Sequence, residues 1–517
     1  MENNKIADSQ IAADTLRPAT SPFVVLSRGN DLDEAGQYIN IGHQLSQESR
    51  YTEAEAYYRK AIELSSRSAI AHNNLGWVRQ MQGDSEGAVE FYKKALQLDP
   101  HLRIARRNLA VILVKLGLRE KSIYLWREEL HAEPEGFAWL EKLTGNSMQA
   151  KNLRLAGEFA TLLAQAHWGS QFYPPLCAQR LVVKTPPRFL TIPKLQHDIE
   201  QFLYLQRNGV LGTEFAPIIK DYESTIERLT LRGEFTRVPL DEESERTIGH
   251  VYNRIVHIRD TPRLEQAISN KWIADDVEME YLGNSPGVVV IDDFLSNAAL
   301  ESLRMFCLES TVWSGNRYAH GRLGAFFRDG FNCPLLLQIA EELREKLSHV
   351  IGDRYPLRQM WGFKNGQHLP GGSTTHADFA AVNVNFWITP NDANLDEKTG
   401  GLVVYGVDAP AHWDFDSYNS RPDIIQPFLR QQHAHIITIP YKENRAIIFN
   451  SDLFHGTDEL NFKPGYENRR VNITMLYGDR ENDVHHRGIG RRDSLGADNE
   501  RANAWRSAAF DRARQLS

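Results

Sequence analysis

The chain has 517 residues, of which 42% are hydrophobic and 24% charged; this excludes a disordered or fibrous class and allows more than one core. Its 59 Lys and Arg against 67 Asp and Glu leave a formal charge of -8, which weighs against a general nucleic-acid partner. No run approaches about 18 uninterrupted apolar residues, and the polar start MENNKIADSQ lacks the apolar stretch of a signal peptide, so the expectation is a cytoplasmic protein with no membrane partner.

Residues 1–34 read as a flexible start. Beyond them Leu75, Gly76, Ala88, Tyr92 and Ala95 recur 34 positions earlier as Ile41, Gly42, Ala54, Tyr58 and Ala61. They recur 34 positions later as Leu109, Ala110, Ser122, Trp126 and Glu129, and Pro100 is answered by Pro134. Small residues return where paired helices approach closely, and aromatics return where they fill the gap. The pattern resembles three tetratricopeptide repeats over 35–136. Such an array implies stacked helices whose concave side takes a peptide or protein partner. Packing against the rest of the chain, or formation of a homodimer, is an equal alternative.

Residues 137–280 read as a helical bridge, interrupted by the paired prolines of PPLCAQRLVVKTPP. At PGVVVIDDFLS the character changes to a strand, a turn and a helix capped by Ser296 or Asn297. A second helix is expected over PLLLQIAEELREKLSHVIG. From Leu357 short strand-like runs dominate: LRQMWGFK, AVNVNFWI, GLVVYG, HAHIITIPY, RAIIFN and RRVNITMLYG. Many two-faced strands suit a double-sheet jelly roll. The inserts at 390–400 and 406–433 are candidates for a substrate lid or an edge cover. Residues 481–517 read as a loop and a terminal helix; the adjacent His485 and His486 would face opposite ways on a strand and are not favoured as joint ligands. Cys177, Cys307 and Cys333 form no close-spaced pair, as in a reducing compartment.

The chemistry concentrates late in the chain. His376 and Asp378, two apart in TTHADF, share one face if the backbone is extended. His455, just past RAIIFNSDLF, can complete a set of two imidazoles and one carboxylate. That set leaves coordination positions open and suits ferrous iron better than a closed structural zinc site. Arg470 shares a strand face with Asn472 and Thr474 and could fork a carboxylate, with Arg469 as the competitor if the alternation is out of phase. Asn383, Asn385 and Trp387 alternate on one face after HADF, either lining a pocket or turned to solvent. Trp361, Phe363 and Lys364 are further pocket candidates.

His376, Asp378, His455 and Arg470, in this order over 285–480, resemble the 2-oxoglutarate- and iron(II)-dependent oxygenase family; PGVVVIDDFLS is similar to the opening of its prolyl-hydroxylase-like branch. The resemblance implies a double-stranded β-helix. It therefore implies an α+β multidomain chain with repeats at 35–136, a bridge at 137–280, an oxygenase domain at 281–480 and a tail at 481–517. It implies that His376, Asp378 and His455 bind Fe(II) and carry catalysis, and that Arg470 holds the distal carboxylate of 2-oxoglutarate. Asn385 and Asn472 are expected beside that cosubstrate, with dioxygen as the second one. The implied reaction hydroxylates an unactivated carbon and decarboxylates 2-oxoglutarate to succinate. Repeats joined to such a domain tilt the expected substrate toward a peptide or protein. A hydroxylase or desaturase of a small amino-acid-like metabolite is the alternative, and a non-catalytic repeat adaptor with a degenerate oxygenase fold is the reading from another class.

Overall fold

The computed structural model describes residues 33–118, 121–122, 124–125, 135–170, 188–284, 287–316, 321–369 and 375–480. Residues 1–32 of the start expected to be flexible, Cys177, and the tail with His485 and His486 lie outside the described residues. The chain divides into two compact units, Met1–His167 with Pro174–Thr185, and Trp168–Tyr173 with Pro186–Ser517.

The first unit is helical. It runs through α1 (Glu34–Gln47), α2 (Tyr51–Leu64), α3 (Ala69–Met81), α4 (Ser85–Leu98) and α5 (Arg103–Lys115). Asp33, Ser68 and Asp84 cap α1, α3 and α4 by accepting the backbone N–H of Gly36, Ala71 and Gly87. The repeat pattern then follows from close approach. A Cβ on Gly42 would sit 2.8 Å from the Tyr58 ring, and one on Gly76 would sit 2.9 Å from the Tyr92 ring. Both tyrosines are fully buried, so each glycine makes room for the aromatic of its hairpin partner. In the third copy Ser122 donates to the Ala110 carbonyl at 2.7 Å; Trp126, Glu129 and Pro134 lie outside the described residues. Asn108 on α5 donates to Asn73 on α3 at 3.1 Å and ties adjacent repeats. Helices α6 (Glu135–Gln149) and α7 (Leu153–Trp168) extend the stack through Leu140, Leu155 and Phe159, packed on Ala110 and Val114 of α5.

The second unit begins with β1 (Phe189–Leu190), α8 (Ile192–Arg207), α9 (Phe215–Leu231), β2 (Val238–Pro239), α10 (Glu242–Thr247) and α11 (Ala274–Gly283). It continues through β3 (Val288–Ile291), α12 (Asn297–Glu309), β4 (Leu323–Phe326), α13 (Pro334–Lys346), β5 (Leu357–Lys364), β6 (His368–Leu369), β7 (Val382–Trp387) and β8 (Leu402–Asp408). It closes with α14 (Phe415–Asn419), α15 (Pro422–Gln431), β9 (Ile436–Ile439), β10 (Ala446–Asn450), β11 (Leu453–Thr457), β12 (Leu460–Asn461) and β13 (Val471–Tyr477). Ser296 caps α12, its hydroxyl accepting from Ala299 N–H.

The main sheet has the order β3-β10-β7-β13-β5-β4, and a smaller one has the order β11-β8-β9. One face of the main sheet meets α13 and the loop before α12: Tyr477 donates to the Ala340 carbonyl of α13 at 3.1 Å, and the Phe386 ring lies 5.2 Å from the tilted ring of Phe294 in that loop. Its other face shares a core with the smaller sheet, in which Trp387, Ile447 and Phe449 pack with Leu402, Val404 and Leu453.

The expected double-stranded β-helix, or jelly roll, is not formed. The main sheet is open and ends on β3 and β4, the smaller sheet ends on β11 and β9, and no ladder among the described residues curls either sheet closed or joins the two. Apolar alternation reports only that a strand has two different faces, which an open sheet satisfies as well as a roll. What stands is a helical repeat region followed by mixed sheets with helices. The insert at 406–433, a candidate for a substrate lid or an edge cover, holds α14 and α15, whose packing is described below.

Candidate metal centre

Three ligand-type side chains converge in the second unit. One donor atom from each of His376, Asp378 and His455 lies within 4.8 Å of the others. His455 Nε2 is 3.4 Å from one Asp378 oxygen, and His376 Nε2 is 3.7 Å from the other. The two imidazoles stand 4.5 Å apart, centre to centre.

His455 comes from β11. His376 and Asp378 do not sit in a strand ladder, contrary to the simplest reading of their spacing. His376 instead forms one isolated antiparallel bridge with His455, N–H to carbonyl at 2.9 and 2.8 Å in the two directions. The backbone then leaves the sheet, and Asp378 N–H donates to the Ser451 carbonyl at 3.2 Å. The bridge fixes the two histidines as direct neighbours although they are far apart in sequence. His455 Nδ1 lies 3.0 Å from the Leu453 carbonyl. A carbonyl can only accept, so Nδ1 carries a proton, and Nε2 is the nitrogen turned to the Asp378 carboxylate and the one that would hold a metal.

Asp378 and His455 are each 4% exposed, whereas the His376 side chain is 23% exposed, so the open side of the cluster is at His376. Burial works to raise the Asp378 carboxyl. The bond with His455, the charges of both histidines and the Asn383 amide outweigh it and hold the group below its ordinary value.

A chain of amides runs from this cluster along the inner face of the main sheet. Asn383 Nδ2 donates to Asp378 at 2.7 Å, and Asn385 Nδ2 donates to Asn383 Oδ1 at 2.5 Å. Asn385 Oδ1 accepts from Asn472 Nδ2 at 3.0 Å and from Thr474 at 2.7 Å. The register makes this direct, since Thr474 faces Asn385 and Asn472 faces Trp387 across β13 and β7. Asn385 and Asn472 are thus buried and linked to the cluster, and the solvent-facing alternative for this strand face does not hold.

Arg470, two residues before Asn472, is 1% exposed. Its guanidinium donates to the carbonyls of Gly400 at 2.6 Å and Gly401 at 3.1 Å, and lies 5.3 Å over the Trp387 ring. It makes no ion pair with a carboxylate among the described residues. Burial pushes it down to about 9, so it remains a cation at neutral pH. Trp387 Nε1 and Asn472 Oδ1 are buried with no hydrogen-bond partner among the described residues. Arg469, the competing arginine, turns the other way and pairs with Glu200 at 2.9 Å. Lys364 also faces away, its ammonium bonded to the Cys307 carbonyl and to Tyr466, both at 2.9 Å. Trp361 and Phe363 oppose Thr474 and Asn472 on β5 and extend the site's face with aromatic rings.

Sequence reasoning missed two parts. Asn383 was one of three alternating candidates, and nothing in its spacing marked it as the partner of Asp378. Tyr418 and Asn419 lie in the insert without any motif, yet they bind the backbone between the two early ligands.

Residues 34–101 match the tetratricopeptide repeat family. No curated protein matches the chain. Among solved structures the chain is similar to YrrB, a tetratricopeptide-repeat protein with an unusual peptide-binding site, at 22% identity over 25% of this chain and 66% of that one, with a TM-score of 0.21. A MamA RS-1 ArsTM double mutant matches at 14% identity over 39% of this chain and 98% of the other, with a TM-score of 0.22. The non-heme alpha-ketoglutarate-dependent carbocyclase SnoK from nogalamycin biosynthesis matches at 11% identity over 41% of this chain and 87% of the other, with a TM-score of 0.29. Among the described residues no helix is long and apolar enough to cross a membrane.

Proposed function

We propose that the second unit is an Fe(II)- and 2-oxoglutarate-dependent oxygenase that hydroxylates an unactivated carbon of a peptide or protein and releases succinate. The observation that carries this reading is the convergence of His376, Asp378 and His455 within 4.8 Å. Two neutral nitrogens and one carboxylate suit a divalent first-row metal that keeps positions open. When bound, ferrous iron supplies the dioxygen chemistry that side chains alone lack.

The chain's own contribution is to hold and orient. The Leu453 carbonyl sets the His455 tautomer, and the Asn383 amide fixes the Asp378 carboxylate, as outer partners of metal ligands do. Arg470 supports the cosubstrate part. A buried cation without a carboxylate partner is costly, and a planar guanidinium matches the carboxylate of an oxoacid. Trp387 Nε1 offers such a guest a further donor. The repeats favour a polypeptide substrate, because stacked hairpins present an extended surface where an amino-acid-sized molecule needs a pocket.

The test is anaerobic titration of the full chain with Fe(II) and then 2-oxoglutarate. A weak visible charge-transfer band should appear, and Asp378→Ala should abolish it. Wild-type protein without the band rejects the iron and cosubstrate reading. Succinate release stimulated by amino acids but by no peptide moves the substrate to the metabolite class.

A further inference from the structure

The insert between β8 and β9 packs against the two stretches of backbone that carry the ligands. Tyr418 of α14 and Ile425 and Leu429 of α15 form one buried cluster with Ala409, Ala377 and Phe454. Two of these are chain neighbours of the ligand residues: Ala377 separates His376 from Asp378, and Phe454 precedes His455. Along extended backbone, adjacent side chains point to opposite sides. The ligands therefore face the metal cluster while Ala377 and Phe454 face the insert.

The polar contacts are more specific than the packing. Ala377 N–H donates to the Tyr418 carbonyl at 2.9 Å, and Asn419 Nδ2 donates to the Ala377 carbonyl at 3.0 Å. Both backbone groups of the one residue between two ligands are thus held by consecutive residues at the end of α14. One step upstream, Gln426 of α15 donates to Thr375 Oγ1 at 3.2 Å. The insert is itself pinned from below. Arg480, 4% exposed, donates to the carbonyls of Ala409 and Pro410, pairs with Asp452, and lies 4.5 Å over the Tyr418 ring. Because the His376–Asp378 segment lies outside any ladder, these bonds take the place of a neighbouring strand.

We infer that the insert at 409–434 is a buttress that sets the separation of His376 and Asp378, with Asn419 as its positioning residue. The inference rests on the reading that His376, Asp378 and His455 hold a metal. Asn419 touches neither the metal nor a ligand side chain; it acts through the Ala377 carbonyl.

Co(II) is the probe, because its visible bands report coordination geometry without turnover. In full-length Asn419→Ala, Co(II) affinity should fall about 10-fold, the scale of losing a partner outside the ligand set, and the visible bands should change in intensity. Leu429→Ala opens the same cluster without removing a hydrogen bond to Ala377. It should lower the melting temperature of the metal-free protein more than Asn419→Ala does, and Co(II) affinity less. Affinity losses that merely follow the melting losses in the two variants overturn the positioning role, as does wild-type affinity with an unchanged spectrum in Asn419→Ala. Should Asn419→Ala fail to fold, Gln426→Ala decides: a weaker shift in the same direction supports the buttress, and wild-type Co(II) binding rejects it. Wild-type protein that binds no Co(II), while remaining folded, rejects the metal reading itself and this inference with it.

Discussion

The repeat array and the metal centre are both built on close approach, but the partners are chosen over different distances along the chain. In the array Gly42 meets Tyr58 and Gly76 meets Tyr92 across one helical hairpin, so each contact forms between neighbours and is copied in the next repeat. In the metal centre His376 reaches His455, Asp378 reaches Ser451 and Ala377 reaches Tyr418, all across long stretches of chain and none repeated. An array of copied contacts tolerates loss of one copy, because stability is shared between neighbours. A centre of unique contacts has no second copy to fall back on. Local contacts also form early and cheaply, whereas contacts between distant segments require the whole unit to fold first.

The strongest way to break this contrast is at a ligand. Asp378→Ala should lower affinity for a divalent metal by more than the roughly 100-fold of an outer-partner loss, measured by equilibrium titration with Co(II). Affinity within tenfold of wild type would remove Asp378 from the ligand set. Next in size is Arg470→Ala, expected to weaken 2-oxoglutarate binding by about 2–4 kcal/mol while Fe(II) binding persists. Calorimetry of the two ligands separates these, and an unchanged cosubstrate affinity would take the anchor role from Arg470.

On the array side, Gly76→Ala drives a methyl to 2.9 Å from the Tyr92 ring. It should cost about 1–3 kcal/mol. Hydrogen exchange should show faster opening of α3 and α4 amides with the α1–α2 hairpin still protected, as shared stability requires. Equal loss of protection through both hairpins would show the array to be a single all-or-none body.

The smallest effect belongs to the surface of the second unit. Hydrogen bonds from Arg445, then from Lys442, hold the Asp292 carboxyl down to about 2. A depressed carboxyl stabilises the fold above its unfolded value near 3.9, and this contribution fades as pH falls toward 2. Asp292 is 38% exposed in its side chain, so the contribution is screened. Arg445→Ala should cost roughly 0.5–1 kcal/mol near neutral pH, and the gap from wild type should narrow below about pH 4 and close only as pH falls through about 2, as followed in urea melts. A gap that persists in acid would assign the loss to packing of the arginine instead.

The same contrast explains what could be read from the sequence. The repeats were legible because period 34 writes each close contact several times. Strand ends were legible where alternation was clean: LRQMWGFK coincides with β5, and RAIIFN differs from β10 by one residue. The three ligand types and Arg470 stood out because His, Asp and buried Arg are costly residues to place beside apolar strands. The closure of the sheets was not legible, since alternation is the same in an open sheet and a roll. The supporting role of α14 and α15 was hidden too, because an ordinary Asn in SYNS acquires its function only from the carbonyl that the fold brings to it.

The amide chain on the main sheet has a direction. An ionised Asp378 can only accept, so Asn383 must present its NH2 group, its oxygen must then face Asn385, and the oxygen of Asn385 must face Asn472. Every dipole in the row is set by one negative charge at its end. Replacing that charge with the isosteric amide in Asp378→Asn removes the rule, since an amide can also donate, and each asparagine is then free to turn over. The wall beside Arg470 would lose its fixed polarity although no atom near it had been changed. The state of a metal ligand is thereby written, bond by bond, into the orientation of the amide beside the buried guanidinium.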